Sequence, residues 1–161
     1  MCGIAGVMTK TGNAPDLAIL DSMETALFHR GPDGSGRYAQ SDTVILQTRL
    51  AIIDLETGDQ PFVLQGERGS RALVANGEIF NYRELYRALP SIAFATASDC
   101  EVPLHLYDRD GTGYAEGLRG MYAIAIYDAA KEHLVLTRDP FGIKPLYYVE
   151  TSAAFAFASE P

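Results

Sequence analysis

Residues 122–158, YAIAIYDAAKEHLVLTRDPFGIKPLYYVETSAAFAFA, decide the fold class. Four short runs in this stretch, 122–127, 133–137, 146–149 and 154–158, read as strands. Working outward, residues 3–9 form a short apolar run suited to a buried strand, and 43–53 are rich in Val, Ile, Leu and Thr and read as one or two more. Residues 72–75 read as a further strand that runs straight into Asn76-Gly77. Helical spacing is confined to fewer places. Leu17, Leu20, Met23 and Leu27 mark a helix over 15–29, with Asp16 placed favourably at its start, and HRGPDG at 29–34 stops it in a loop. A short helix is predicted over 82–89. A second is opened by Ser98-Asp99-Cys100-Glu101, which fits a capping box, and continues through Tyr107. Pro103 removes one amide donor early in that helix and predicts an irregular first turn. Strands and helices come in clusters and do not alternate strictly. That argues against a Rossmann-like parallel sheet and for α+β layers built on antiparallel strands.

The chain has 161 residues, which makes one domain over 1–161 the natural expectation. With 13 Lys and Arg against 21 Asp and Glu, its formal charge is −8. Such an acidic chain offers no electrostatic footprint for nucleic acid or for an anionic membrane surface. No apolar run approaches the roughly 18 residues that span a bilayer, and the N-terminus lacks the features of a secretory signal. Two cysteines are too few for a disulfide framework, so a reducing cytoplasm is the simplest location. His29, His105 and His133 are scattered, and no His/Cys/Asp spacing fits a zinc site.

Two features carry chemistry. Cys2 follows the initiator Met1, and a small second residue permits removal of that methionine. Cys2 would then hold a thiol of ordinary pKa about 8.5 beside a free α-amine that titrates near 7.7–8.0. One residue could supply both nucleophile and base; equally, a cysteine at position 2 can be incidental. The second feature is ANGEIFNY at 75–82. A strand ending in Asn-Gly is commonly a turn, yet a side-chain amide and an adjacent backbone N–H can also converge into an oxyanion hole.

Taken together with CGIAG at 2–6, HRGPDGSG at 29–36, RLAIIDL at 49–55, SDCEV at 98–102, RGMYAIAIYD at 119–128 and RDPFGIKPLYY at 138–148, these segments resemble a known family. Their order and spacing are similar to the N-terminal glutaminase domain of class II glutamine amidotransferases. The NGEIFN continuation is similar to the branch of glutamine-hydrolysing asparagine synthetases. The resemblance implies the N-terminal nucleophile hydrolase fold, a four-layer sandwich of two antiparallel β-sheets between helical layers.

It also implies roles. Cys2 would attack the side-chain amide of L-glutamine, giving a γ-glutamyl thioester and ammonia, with its α-amine carrying the proton. Asn76 and Gly77 match the oxyanion hole, Arg49 the group that holds the substrate α-carboxylate, and Glu78 and Asp99 the groups that bind the α-ammonium. Backbone groups around Ile52 and Ile53 would complete the pocket. Each has a plainer alternative: a surface cation for Arg49, a helix-dipole partner for Asp99, a solvated turn residue for Glu78. Cys100 reads as a core thiol, and Arg30 and Asp33 either as the family segment near the ammonia exit or as a helix-stopping turn.

An asparagine synthetase also needs a nucleotide-binding synthetase domain with a Gly-rich pyrophosphate loop. None follows here, and the chain stops abruptly after a strand, as a piece of a longer synthetase would. The expectations are therefore glutamine as ligand, no cofactor or metal in this domain, and ATP and magnesium only in a C-terminal partner domain. A homodimer stays open, as do two other readings: the glutaminase domain of another synthetase-like amidotransferase, and a non-catalytic binding or assembly module on the same fold.

Overall fold

Alternation of side chains along extended backbone lets one strand serve two layers, and this chain uses that property in both of its sheets. The computed structural model describes the chain except for residues 53, 55 and 68. In chain order the described residues form β1 (Gly3–Thr9), α1 (Leu17–Leu27), β2 (Gly34–Gln40), β3 (Thr43–Arg49), β4 (Phe62–Gly66) and β5 (Gly69–Ile79). There follow α2 (Tyr82–Arg87), α3 (Val102–Asp110), β6 (Gly120–Asp128), β7 (His133–Arg138), β8 (Tyr147–Glu150) and β9 (Ala154–Ala158). One sheet has the order β2-β3-β1-β9-β8 and the other β4-β5-β6-β7, with every strand pairing antiparallel.

Three apolar clusters separate four layers. Ala5, Val44 and Leu46 of the first sheet pack with Leu20 and Leu27 of α1. Their strand neighbours Ile4 and Ile45 point the other way, against Ala72, Val74, Ala123 and Ala125 of the second sheet. The opposite face of that second sheet, through Leu73, Ala75, Ile124 and Ile126, meets Val102, Leu104 and Leu106 of α3. Each large aliphatic side chain buried this way contributes about 1.5–3 kcal/mol. This is the α+β layering expected from the residues, in the four-layer form that the family resemblance implied.

Several local readings need correction. Asp16 does cap α1, accepting from the Ala18 amide at 2.9 Å, but Leu17 is exposed and lies outside the buried stripe. The helix ends at Leu27, and Phe28–Arg30 continue as a 3-10 turn. Of the 43–53 run, read as one or two strands, Thr43–Arg49 form one, and Ile53 lies outside the described residues. Asn76-Gly77 is not a turn, because β5 passes through it to Ile79, paired residue by residue with β6. Two edge strands, β2 and β4, lie outside the runs that read as strands. Ser98 accepts from Cys100 N at 3.3 Å, as a cap should, but Asp99–Glu101 form a 3-10 turn and not the first turn of an α-helix. Pro103 at the start of α3 agrees with that irregular entry.

Candidate active site

Register places the first pair of candidate residues. Gly3 of β1 lies opposite Thr48 of β3, so Cys2 and Arg49 leave the first sheet side by side at one end. The facing sheet supplies the second pair. On β5, Asn76 follows Ala72 and Val74 at the two-residue period of the inter-sheet face, so its amide turns towards the first sheet. Between the sheets lies a cleft of about 470 Å³, lined by Cys2, Arg49, Ile52, Asn76, Gly77, Glu78 and Asp99, with Gln47, Cys100 and Lys144 also on its wall. All the candidate residues except Ile53 thus share one cavity. Ile53 lies outside the described residues.

The thiol of Cys2 sits against backbone: the Leu50 amide is 3.4 Å from Sγ, and the Leu50 carbonyl 3.6 Å. Its own carbonyl accepts from Arg30 Nε at 3.1 Å, and Arg30 is in turn paired with Glu160 at 2.5 Å. Sequence reasoning left Arg30 undecided between an exit segment and a turn. The structure buries it and fixes it to the Cys2 main chain. Met1 precedes Cys2 in peptide linkage, half-exposed, with Sδ 3.4 Å from Lys144 Nζ.

Asn76 is 1% exposed, and its side-chain Nδ2 is buried with no hydrogen-bond partner among the described residues. An amide donor left unmade in the interior costs about 1–3 kcal/mol, so this nitrogen can still donate to an oxygen entering the cleft. Gly77 follows with φ +157°, and a Cβ built there would lie 2.1 Å from the Met121 carbonyl. Only glycine lets the chain pass at that spot while presenting its amide beside Asn76.

Arg49 lies at the end of β3, largely buried. Its Nη1 is 2.5 Å from Asp59 Oδ1, and its Nη2 donates to the Asp54 carbonyl. Across the cleft, Asp99 is 3% exposed and accepts from the Ile79 amide at 2.6 Å. Burial pushes its carboxyl above the usual carboxylate range, and the neighbouring Glu78 charge adds to this, against the pull of backbone donors. A cation arriving between Asp99 and Glu78 would reverse both effects. Ile52 is exposed at the rim. Cys100 is the buried thiol expected, raised well above its ordinary pKa by burial and placed 3.6 Å from the Gly77 carbonyl, so it is no second nucleophile. Among the described residues, no group of three or more His, Cys, Asp or Glu side chains is placed to hold a metal ion.

The family model of the glutamine amidotransferase domain matches residues 1–161. The chain belongs to that family. The amidotransferase domain is 42% identical, over 99% of its length, to 22% of an asparagine synthetase (glutamine-hydrolyzing) of Bacillus subtilis. It is 41% identical, over 91% of its length, to 25% of the asparagine synthetase of Asparagus officinalis. It therefore spans about a quarter of the length of these relatives. In fold it is similar to the glutamine phosphoribosylpyrophosphate amidotransferase of B. subtilis, with a TM-score of 0.79 over 98% of this chain and 42% of that one, at 24% identity. The fold is that of the N-terminal nucleophile hydrolases, as the amidotransferase resemblance implied.

Proposed function

We propose that this amidotransferase domain hydrolyses L-glutamine to L-glutamate and ammonia, with Cys2 as the nucleophile. The observation that carries the reading is the buried, unpartnered Nδ2 of Asn76 in the same cleft as the Cys2 thiol. Glutamine fits the remaining groups. Its α-carboxylate matches the Arg49 fork, its α-ammonium the Asp99–Glu78 pair, and its side-chain carbonyl oxygen the donors of Asn76 and Gly77.

Chemistry begins with removal of Met1, which frees the α-amine of Cys2. That amine takes the thiol proton, and the sulfur attacks the δ-carbon of glutamine. The C=O bond opens to an oxyanion held by Asn76 Nδ2 and Gly77 N–H. Collapse breaks the C–N bond, and the α-ammonium returns its proton to the departing nitrogen, leaving ammonia and a γ-glutamyl thioester. Water then attacks the thioester with the same amine as base, and glutamate leaves as the thiol is restored. Arg30 holds the Cys2 carbonyl and so the direction in which the thiol and amine face.

The relatives named as asparagine synthetases support a further step outside this chain. There the ammonia would go to aspartate activated by ATP with magnesium, in a C-terminal synthetase domain. In this reading the 161-residue chain alone binds no ATP and makes no asparagine. Both cysteines are free, which suits a reducing cytoplasm, and no helix among the described residues is long and apolar enough to cross a membrane.

The test is intact mass before and after incubation with a γ-electrophilic glutamine analogue, together with glutamate release. Loss of Met1 and one adduct mapped to Cys2 is the expected result. A processed, folded chain that takes no adduct and releases no glutamate would overturn the assignment.

A further inference from the structure

The two residues that follow β9 reach back to the segment that carries Cys2. The Ser159 amide donates to the Ile4 carbonyl at 2.9 Å, and Ser159 Oγ accepts from the Ile4 amide at 3.0 Å. Glu160 Oε1 lies 2.5 Å from Arg30 Nη1, and Arg30 Nε donates to the Cys2 carbonyl at 3.1 Å. We infer that Glu160 is a positioning residue for Cys2, acting through Arg30. The inference rests on the reading of Cys2 as the glutaminase nucleophile.

Arg30 is the link because so little else holds it. Its side chain is 8% exposed. Among the described residues, Nε meets the Cys2 carbonyl, Nη1 meets Glu160, and Nη2 is buried without a partner. A guanidinium taken out of water needs an anion close by, and Glu160 is the carboxylate paired with this one. The exposed His29 approaches the same carboxylate oxygen at 3.3 Å through Nε2. The contacts close a ring. It runs from Cys2 along the chain to Ile4, across two hydrogen bonds to Ser159, on to Glu160, and through Arg30 back to Cys2. Opening the ring at Glu160 leaves the Ile4–Ser159 bonds in place and frees the contact at Cys2.

The Cα of Cys2 hangs from the peptide plane whose carbonyl Arg30 holds. A tilt of that plane moves the sulfur and the α-amine together, relative to Asn76 and Gly77 on the facing sheet. Neither Arg30 nor Glu160 is among the described residues that line the cleft. The loss therefore falls on alignment for attack and not on the hold on glutamine. A misplacement of about 1 Å at reacting atoms can cost roughly a hundredfold in rate.

The experiment measures kcat and KM for glutamate release by the processed protein. The variants are Glu160→Ala, Glu160→Gln, Arg30→Met and the Glu160→Ala, Arg30→Met pair. Glu160→Ala lowers kcat roughly ten- to hundredfold, with KM within about threefold of wild type. Glu160→Gln keeps an oxygen for Nη1 without the charge and lowers kcat at least about threefold. The double variant is no slower than Arg30→Met alone, as action through Arg30 requires. Alkylation of Cys2 by iodoacetamide needs no oxyanion donor and stays within about threefold of wild type, which separates misalignment from a lost site. Glu150→Ala breaks the exposed pair with Lys10 and, as the control, keeps the wild-type kcat.

A fall in kcat of less than threefold in Glu160→Gln overturns the inference, and that variant decides the matter if Glu160→Ala does not fold. So does a double variant slower than Arg30→Met by the full Glu160→Ala factor, or a loss of iodoacetamide reactivity that matches the loss of kcat. A wild type that reacts with iodoacetamide yet releases no glutamate overturns the glutaminase reading itself, and this inference with it.

Discussion

Replacing Asn76 by alanine should separate catalysis from stability. The Nδ2 donor it removes is buried and has no partner among the described residues, so the folded protein forfeits no hydrogen bond at that nitrogen. Leaving such a donor unmade costs about 1–3 kcal/mol, and the substitution relieves that cost. Against it stands the loss of packing around a side chain 1% exposed, in a cleft already open to ligand, where the usual cavity penalty is smaller than in a closed core. The two terms offset, and the net change in unfolding free energy should stay within about 1 kcal/mol of zero. Catalysis has no such offset. One oxyanion donor is worth about 2.7–4 kcal/mol in the transition state, so kcat for glutamate release should fall roughly 100- to 1,000-fold. Steady-state glutamate release at saturating glutamine and equilibrium urea unfolding are the two assays. A fall in kcat below tenfold would refute the placement of Asn76 at the developing charge. A loss of stability above about 3 kcal/mol would show that the amide is a structural bond after all.

Asp99→Asn keeps an acceptor for the Ile79 amide and removes a carboxylate whose pKa burial has raised. A raised pKa in the folded state means that the ionised form costs stability, a cost absent below the unfolded pKa and fully present above the folded one. The variant should therefore melt higher at neutral pH while its KM for glutamine rises at least about tenfold, the ammonium having lost a charged partner. In the wild type, KM should climb as pH falls through a value above the ordinary carboxylate range; a flat profile would argue against Asp99 as a ligand. Glu101→Gln tests the loop behind it. Burial opposes ionisation of Glu101, but the Thr96 hydroxyl, the Ala95 and Thr96 amides and His105 together hold its pKa low. Its contribution is present above the unfolded pKa and lost as pH falls through the folded one, and the variant should lose about 1–3 kcal/mol by urea unfolding at neutral pH. Gly77→Ala drives a Cβ to within 2.1 Å of the Met121 carbonyl, and should cost roughly 1–3 kcal/mol as well as slow the labelling of Cys2 by the glutamine analogue.

What the sequence shows of this fold follows from burial. β9 over Ala154–Ala158 and β1 over Gly3–Thr9 carry apolar runs in the middle of a sheet, and both are legible to the residue. β2 reads GSGRYAQ, an edge strand with one face in solvent, and its glycines look like the end of a loop. β4, also an edge strand, is five residues with Val63 exposed. Neither has a side-chain pattern strong enough to outweigh its glycines, because edge strands are held by backbone bonds that sequence does not encode. Asn76-Gly77 misleads for a related reason. Local preference says turn, while nine residues of β6 hold the pair in a ladder. The candidate residues that share the cleft are legible as a set through motif order. Arg30 stays undecided in sequence between an exit segment and a turn, because its contact with the Cys2 carbonyl bridges residues 28 apart.

The distribution of unmet polar groups bears on function independently of any motif. Elsewhere in the chain, buried carboxylates are saturated. Asp139 accepts from the amides of Phe141, Ile143 and Lys144, and Asp128 from Tyr107 and the Ala130 amide, with Arg71 and Lys131 beside it. At the cleft the pattern inverts. Asn76 Nδ2 is buried and unpartnered among the described residues, and Asp99 keeps a raised pKa next to another acid. A core selected for stability alone would have satisfied or replaced these groups. Asn76 and Asp99 line the same cleft as Cys2, which supports the proposed binding of glutamine there. Substitutions that make this cleft more comfortable should therefore stabilise the fold and silence it together.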